Sequence, residues 1–144
     1  MKRYTLAVLA YLVPTFALGF VWHLVLFESY YDALGIYRRD IIIPFGFVSM
    51  LIQGAIFAWV YDKAFAVAGG PLLSLAVRYG LVGAVLSWSF TTLAVAAKNV
   101  MASVPSYVLI ETAFTIAQWV LVAPLTVATS FQSGRDERRV GAVG

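Results

Sequence analysis

The sequence predicts an all-α polytopic membrane protein, a four-helix transmembrane bundle with both termini on the cytoplasmic side. Three observations carry that expectation. First, 62% of the 144 residues are hydrophobic and only 12% charged, with mean hydropathy +0.88, whereas soluble domains run near a quarter charged and about half apolar. Second, the apolar residues gather into four runs, at about 4–27, 41–61, 72–97 and 107–131. At ~1.5 Å per residue each is long enough to cross a ~30 Å hydrocarbon core. Third, the basic residues are unevenly placed. Lys2, Arg3, Lys63, Arg78, Arg135, Arg138 and Arg139 fall on one side of such a bundle, and Arg38, Arg39 and Lys98 on the other. The positive-inside rule then assigns both termini to the cytoplasm of a multi-pass protein of the inner or plasma membrane.

The first run follows Lys2 and Arg3 as a signal peptide would. It continues well beyond a signal-peptide core, and no small-x-small cleavage site follows, so it is expected to remain as a mature helix. Pro14 lies inside it, and Pro124 lies inside the fourth run. Each removes a backbone hydrogen bond and is expected to bend its helix. With the termini on one side, the two bends fall in the same half of the membrane; the plain reading is two ordinary proline kinks, and the alternative is a cavity opened between them.

The stretch from Trp22 to Pro44, WHLVLFESYYDALGIYRRDIIIP, is the polar hinge of the first half. It reads as the rim of the first helix, an interfacial turn and the start of the second helix. Pro44, Pro71 and Pro105 mark the starts of helices two, three and four, where a missing N–H costs nothing. Gly69-Gly70-Pro71 reads as the turn between the second and third. The third run carries small residues at spacings of three and four, including Gly80, Ala84, Ser87 and Thr91. Small faces let helices approach closely in lipid, so this helix is expected to pack centrally. Gln53 and Gln118, one in each half, are expected as interhelical hydrogen-bonding groups, and the two hairpins read as a parallel pseudo-repeat. Residues 132–144 are polar and glycine-containing, and are expected to form a short disordered cytoplasmic tail.

On this topology the polar side chains crowd the outer end. His23 lies about one turn inside the end of the first helix, with Glu28, Tyr31 and Asp32 beyond it. Lys98 and Asn99 close the third helix, and Glu111 sits inside the fourth. Ionisable groups at membrane depth cost several kcal/mol unless paired or wetted, so they face the bundle interior. The first pair expected is Glu111 with Lys98, and the second His23 with Glu28 or Glu111. Such a cluster reads as a pocket that binds a small ligand or relays protons, since histidine titrates near neutrality. Residue by residue, the first reading is a salt bridge that fixes helix register, with His23 donating to a neighbour; the convergence of several groups at one depth is what adds weight to a pocket. Trp22, Tyr30, Tyr31, Tyr37 and Tyr107 fit an aromatic belt at the membrane–water boundary.

Several chemistries drop out. Without cysteine there are no disulfides or thiolate ligands, and one histidine cannot complete a zinc or bis-histidine haem site. No metal and no cofactor are expected. No phosphate-binding glycine loop or nucleophile elbow is present, and no nucleophile–base–orienter set, so an enzyme is the least supported class. The basic residues belong to loops and ends, which argues against nucleic acid.

The run LGFVWHLVLFESYYDALGI, with LGxxWxxxLFxxxYxxLG spacing, resembles a signature of small bacterial four-helix membrane proteins of unknown function. The glycine-bearing third helix ending in AAKN and the fourth helix with Glu111 are similar too. The resemblance implies four helices in the plasma membrane and no established activity. Two functions therefore stand. One is binding or transport of a small molecule or ion through the outer pocket, by a homo-oligomer. The other is an accessory or assembly subunit whose small-residue face meets a membrane-protein partner. In either case the lipid bilayer is the primary partner.

Overall fold

The computed structural model describes residues 2–141, with side chains described for residues 3–130. Helix α1 runs Lys2–Val21 and continues through a π-helical turn at Trp22–Leu26, closed by Phe27 N–H donating to the Trp22 carbonyl at 3.0 Å. A short helix, α2 (Glu28–Leu34), ends at Gly35, whose φ of 70° is the left-handed C-terminal conformation that glycine adopts without a Cβ penalty. Helix α3 (Ile43–Ala68) has Pro44 in its first turn and a π turn at Tyr61–Phe65. Gly69 and Gly70, at φ 65° and 127°, turn the chain into α4 (Leu72–Ala96), which has a π turn at Ser89–Leu93. Helix α5 is Val104–Gly141, with Pro124 inside it.

Four of these helices are long and apolar enough to cross a membrane. Only 17% to 33% of their most apolar windows is buried inside the protein, so most of the apolar surface points outward, an arrangement compatible with an apolar solvent around the bundle. No strand occurs among the described residues.

Three expectations change. The bundle is centred on α1 and α5: α3 packs on α1, and α4 packs on α5. The third of the four long apolar helices is therefore flanking rather than central. Its small residues serve Trp119 of α5. A methyl group at Gly83 would collide with the Trp119 ring, and one at Gly80 would meet the Ala123 methyl at 3.0 Å. Trp119 Nε1 then donates to Ser87 Oγ at 3.1 Å. Ala84 only borders this core, and Thr91 is exposed. The expected tail is also different, because α5 continues without a break as far as Gly141. Its side chains beyond Ser130, and residues 142–144, lie outside the described residues. The helix limits shift as well, most at the ends of α5 and α3.

Two cores hold the bundle. Near the termini, Tyr11, Phe57, Tyr61, Tyr79, Trp119 and Val127 form a buried aromatic cluster. At the opposite end Tyr31, Leu34 and Tyr107 pack with Trp22, Phe27 and Met101, and Ala102 N–H donates to the Leu34 carbonyl at 2.9 Å. This second core pins α2 and the loop after it against α5. Helices α3 and α4 meet near Tyr61 and Tyr79; toward the other end a cavity separates them.

Candidate functional site

The cavity has a volume of about 550 Å³ and lies between α1, α3, α4 and α5, roofed by Ile36, Tyr37, Arg38, Ile41 and Ile42. Each helix supplies a face at helical spacing. On α1 it is Thr15, Gly19 and His23; on α3, Gly46, Ser49 and Gln53; on α5, Glu111, Phe114 and Gln118. These positions recur every three or four residues and so share one side of each helix. From Thr15 to His23 is eight residues, which makes the cavity about 12 Å deep along α1.

One wall holds His23 and Glu111. His23 Nε2 lies 3.2 Å from Glu111 Oε1, and Tyr31 donates its hydroxyl to the same oxygen at 2.7 Å. His23 Nδ1 lies 2.8 Å from the Gly19 carbonyl, one turn back on α1. A carbonyl only accepts, so Nδ1 carries a proton and the tautomer is fixed. Gly19 keeps this corner narrow: the Met50 methyl and the Phe114 ring lie 3.5 and 3.9 Å from where its Cβ would be. Phe114 meets the His23 ring edge-on at 4.5 Å, and Tyr31 stacks on Tyr37 at 5.1 Å. The carboxylate is 8% exposed and the imidazole 17%, so the pair is largely withdrawn from water yet borders the cavity. Outside the apolar spans, burial first and then the hydrogen bond to Glu111 push the Tyr31 phenol well above its ordinary range. Tyr31 is therefore a neutral donor to the carboxylate.

The floor is a strip of neutral polar groups. Tyr11 donates to Gln53 Oε1 at 2.8 Å, Gln118 Nε2 donates to Tyr11 and to Thr15 at 3.4 Å each, and Gln53 Nε2 donates to Ser49 Oγ at 3.0 Å. The two glutamines do join helices, as their residue type suggests, and they also face the cavity. Between floor and rim the walls are apolar, with Phe16, Phe20, Met50 and Phe114.

The other sequence candidates lie elsewhere. Glu28 and Asp32 are exposed on α2, and Lys98 and Asn99 are exposed in the turn after α4. Glu111 pairs with His23 rather than Lys98, because Trp88 of α4 donates to Thr112 Oγ1 at 2.9 Å, which sets Glu111 about two turns below the exposed Lys98, while the π turn of α1 holds His23 beside the carboxylate. Tyr31 and Tyr107 are buried, so neither belongs to an aromatic belt; Tyr107 donates to the Thr91 carbonyl at 2.8 Å. Sequence reasoning missed Thr15, Gly46, Ser49 and Phe114, although the i, i+4, i+8 spacing of Thr15, Gly19 and His23 could have disclosed the face. Among the described residues no three His, Cys, Asp or Glu side chains gather as a metal site.

No family model, no curated protein and no solved structure matches this chain.

Proposed function

We propose that this chain is an integral protein of the plasma membrane, with both termini cytoplasmic, that binds a small molecule in the cavity between α1, α3, α4 and α5. The single observation that carries this reading is the cavity itself. Its 550 Å³ falls within the ~300–1,000 Å³ of small-molecule sites, and like them it is mainly apolar with a few convergent polar groups. The ionisable pair in its wall supports the same reading, because buried charge at membrane depth is costly and is kept where it meets a ligand or a water-filled path. The subunit reading is weaker, since the small residues of α4 that a partner helix would use are filled by Trp119 and Ala123 of the same chain.

Gly46 provides the test. It lines the cavity, and a side chain added there meets nothing within 4 Å. In native mass spectra of gently extracted protein, wild type is expected to carry a small-molecule mass that Gly46→Trp lacks. Equal masses on both, or none on either, would remove the binding reading. Because the chain has no cysteine, one cysteine appended at the C-terminus tests the topology, which is wrong if that residue is labelled from outside intact cells.

A further inference from the structure

Of the side chains lining the cavity, only His23, Glu111 and Arg38 are ionisable at neutral pH. Arg38 sits at the rim with Nε and Nη2 donating to the two oxygens of Asp40 at 3.2 and 3.1 Å, so the mouth is close to neutral. Deeper in, hydrogen-bond valence fixes the charge. Nδ1 of His23 already carries the proton that Gly19 accepts. The 3.2 Å contact between Nε2 and Glu111 Oε1 then needs one further proton, on one partner or the other, because two facing lone pairs repel. Either placement leaves the pair neutral overall. Both hydrogen bonds to the carboxylate end on Oε1, which leaves Oε2 without a donor among the described residues. The rings of Phe16, Phe20, Tyr37 and Phe114 line the same space.

We infer that the cavity takes a lipophilic organic cation, and that this cation replaces the proton shared by His23 and Glu111. The inference rests on the binding reading above and names its ligand class. Ring faces attract a cation through their quadrupole, and the carboxylate offers the free oxygen. If the cation entered with the proton retained, one positive charge would stand uncompensated in a poorly solvated site, which is costly. Exchange avoids this. The ligand cation becomes the counter-charge of the Glu111 carboxylate and the proton leaves through the mouth to water; His23 is left neutral with Nδ1–H still on Gly19, and its Nε2 lone pair parts from Oε1 to accept from water at the cavity. One positive charge enters and one departs, and no covalent bond other than N–H or O–H changes. The remaining ionisable groups facing the pair are phenols: Tyr31 and Tyr37 from α2 and its loop, and Tyr107 on α5. From α3 and α4 come only neutral groups, Ser49, Gln53, Ser87 and Thr91. Affinity for the cation therefore rises with pH.

Tetraphenylphosphonium and tetraphenylborate have nearly the same shape and opposite charge, and triphenylphosphine oxide supplies a neutral probe. Titration calorimetry of the full chain in lipid nanodiscs, in buffers of different ionisation enthalpy, reads both affinity and protons released. The phosphonium is expected to bind about tenfold or more tighter than the borate and to release close to one proton. Glu111→Gln, which keeps an acceptor for Tyr31, is expected to lose both the preference and the release. Borate or phosphine oxide bound as tightly, or phosphonium bound without proton release, overturns the cation exchange; if Gly46→Trp still blocks that binding, the cavity reading stands. Binding of none of the three, or binding indifferent to Gly46→Trp, overturns both.

Discussion

Glu111 gives the hydrogen-bond geometry its sharpest quantitative consequence. Replacing it with leucine removes the acceptor of the Tyr31 hydroxyl, which is 0% exposed, and leaves a buried donor unsatisfied. His23 suffers less, since Nδ1 keeps the Gly19 carbonyl and Nε2 borders the cavity. The raw stability of Glu111→Leu mixes this loss with the gain from no longer burying an ionisable group. A double-mutant cycle with Tyr31→Phe separates the two, because the hydrophobic gain is common to both leucine variants and cancels. A hydrogen bond to a charged partner contributes about 1.5–3 kcal/mol, and at 2.7 Å the Tyr31–Glu111 bond belongs in that range. The coupling is therefore expected at about 1.5–3 kcal/mol. Glu111→Gln, whose amide oxygen can still accept from Tyr31 at the position of Oε1, is expected to retain a smaller coupling of about 0.5–1.5 kcal/mol, that of a neutral hydrogen bond. Unfolding in mixed micelles of rising SDS fraction, followed by the fluorescence of the four tryptophans, measures each corner of the cycle. Coupling below about 0.5 kcal/mol would refute a buried Tyr31–Glu111 bond.

Two further outcomes follow from the packing. Gly83→Ala places a methyl group inside the Trp119 ring and is expected to cost about 1–3 kcal/mol by overpacking. Gly46→Ala, with open space around its Cβ, is expected to be neutral or slightly stabilising; similar melting temperatures for the two variants would contradict the α4–α5 interface. Burial and Glu111 raise the Tyr31 phenol, and burial raises Tyr37. Folding thus favours their neutral forms, so their contribution is complete below about pH 10, the ordinary phenol value, and is lost as the pH climbs beyond it. Unfolding midpoints between pH 8 and 12 are expected to hold and then fall, and Tyr31→Phe to soften the fall. A decline beginning well below pH 10 would assign it to other groups.

The four apolar helices were legible because lipid-crossing length and hydropathy are properties of single segments, needing no knowledge of neighbours. Prolines at helix starts and the Gly69-Gly70-Pro71 turn were legible for the same local reason. The pairing of helices was not. A small-residue stripe on α4 reads as a central helix, but Trp119 of α5 fills it from one side. Of the polar cluster, His23, Tyr31 and Glu111 come together, whereas Glu28, Asp32, Lys98 and Asn99 remain exposed. Charge complementarity favoured Lys98 for Glu111, but where the π turn at Trp22–Leu26 delivers His23 depends on tertiary packing, which residue types do not encode. Gln53 and Gln118 were read as packing groups, and their second role at the cavity floor depends on α3 standing away from α4.

The most direct measurement is modification of a single cysteine, Gly46→Cys, in a chain that otherwise has none. A small cationic thiosulfonate reagent applied to membranes is expected to modify this cysteine, and tetraphenylphosphonium to protect it. A cysteine at Gly46 that never reacts, or that reacts equally with and without the probe, would contradict an accessible ligand-binding cavity.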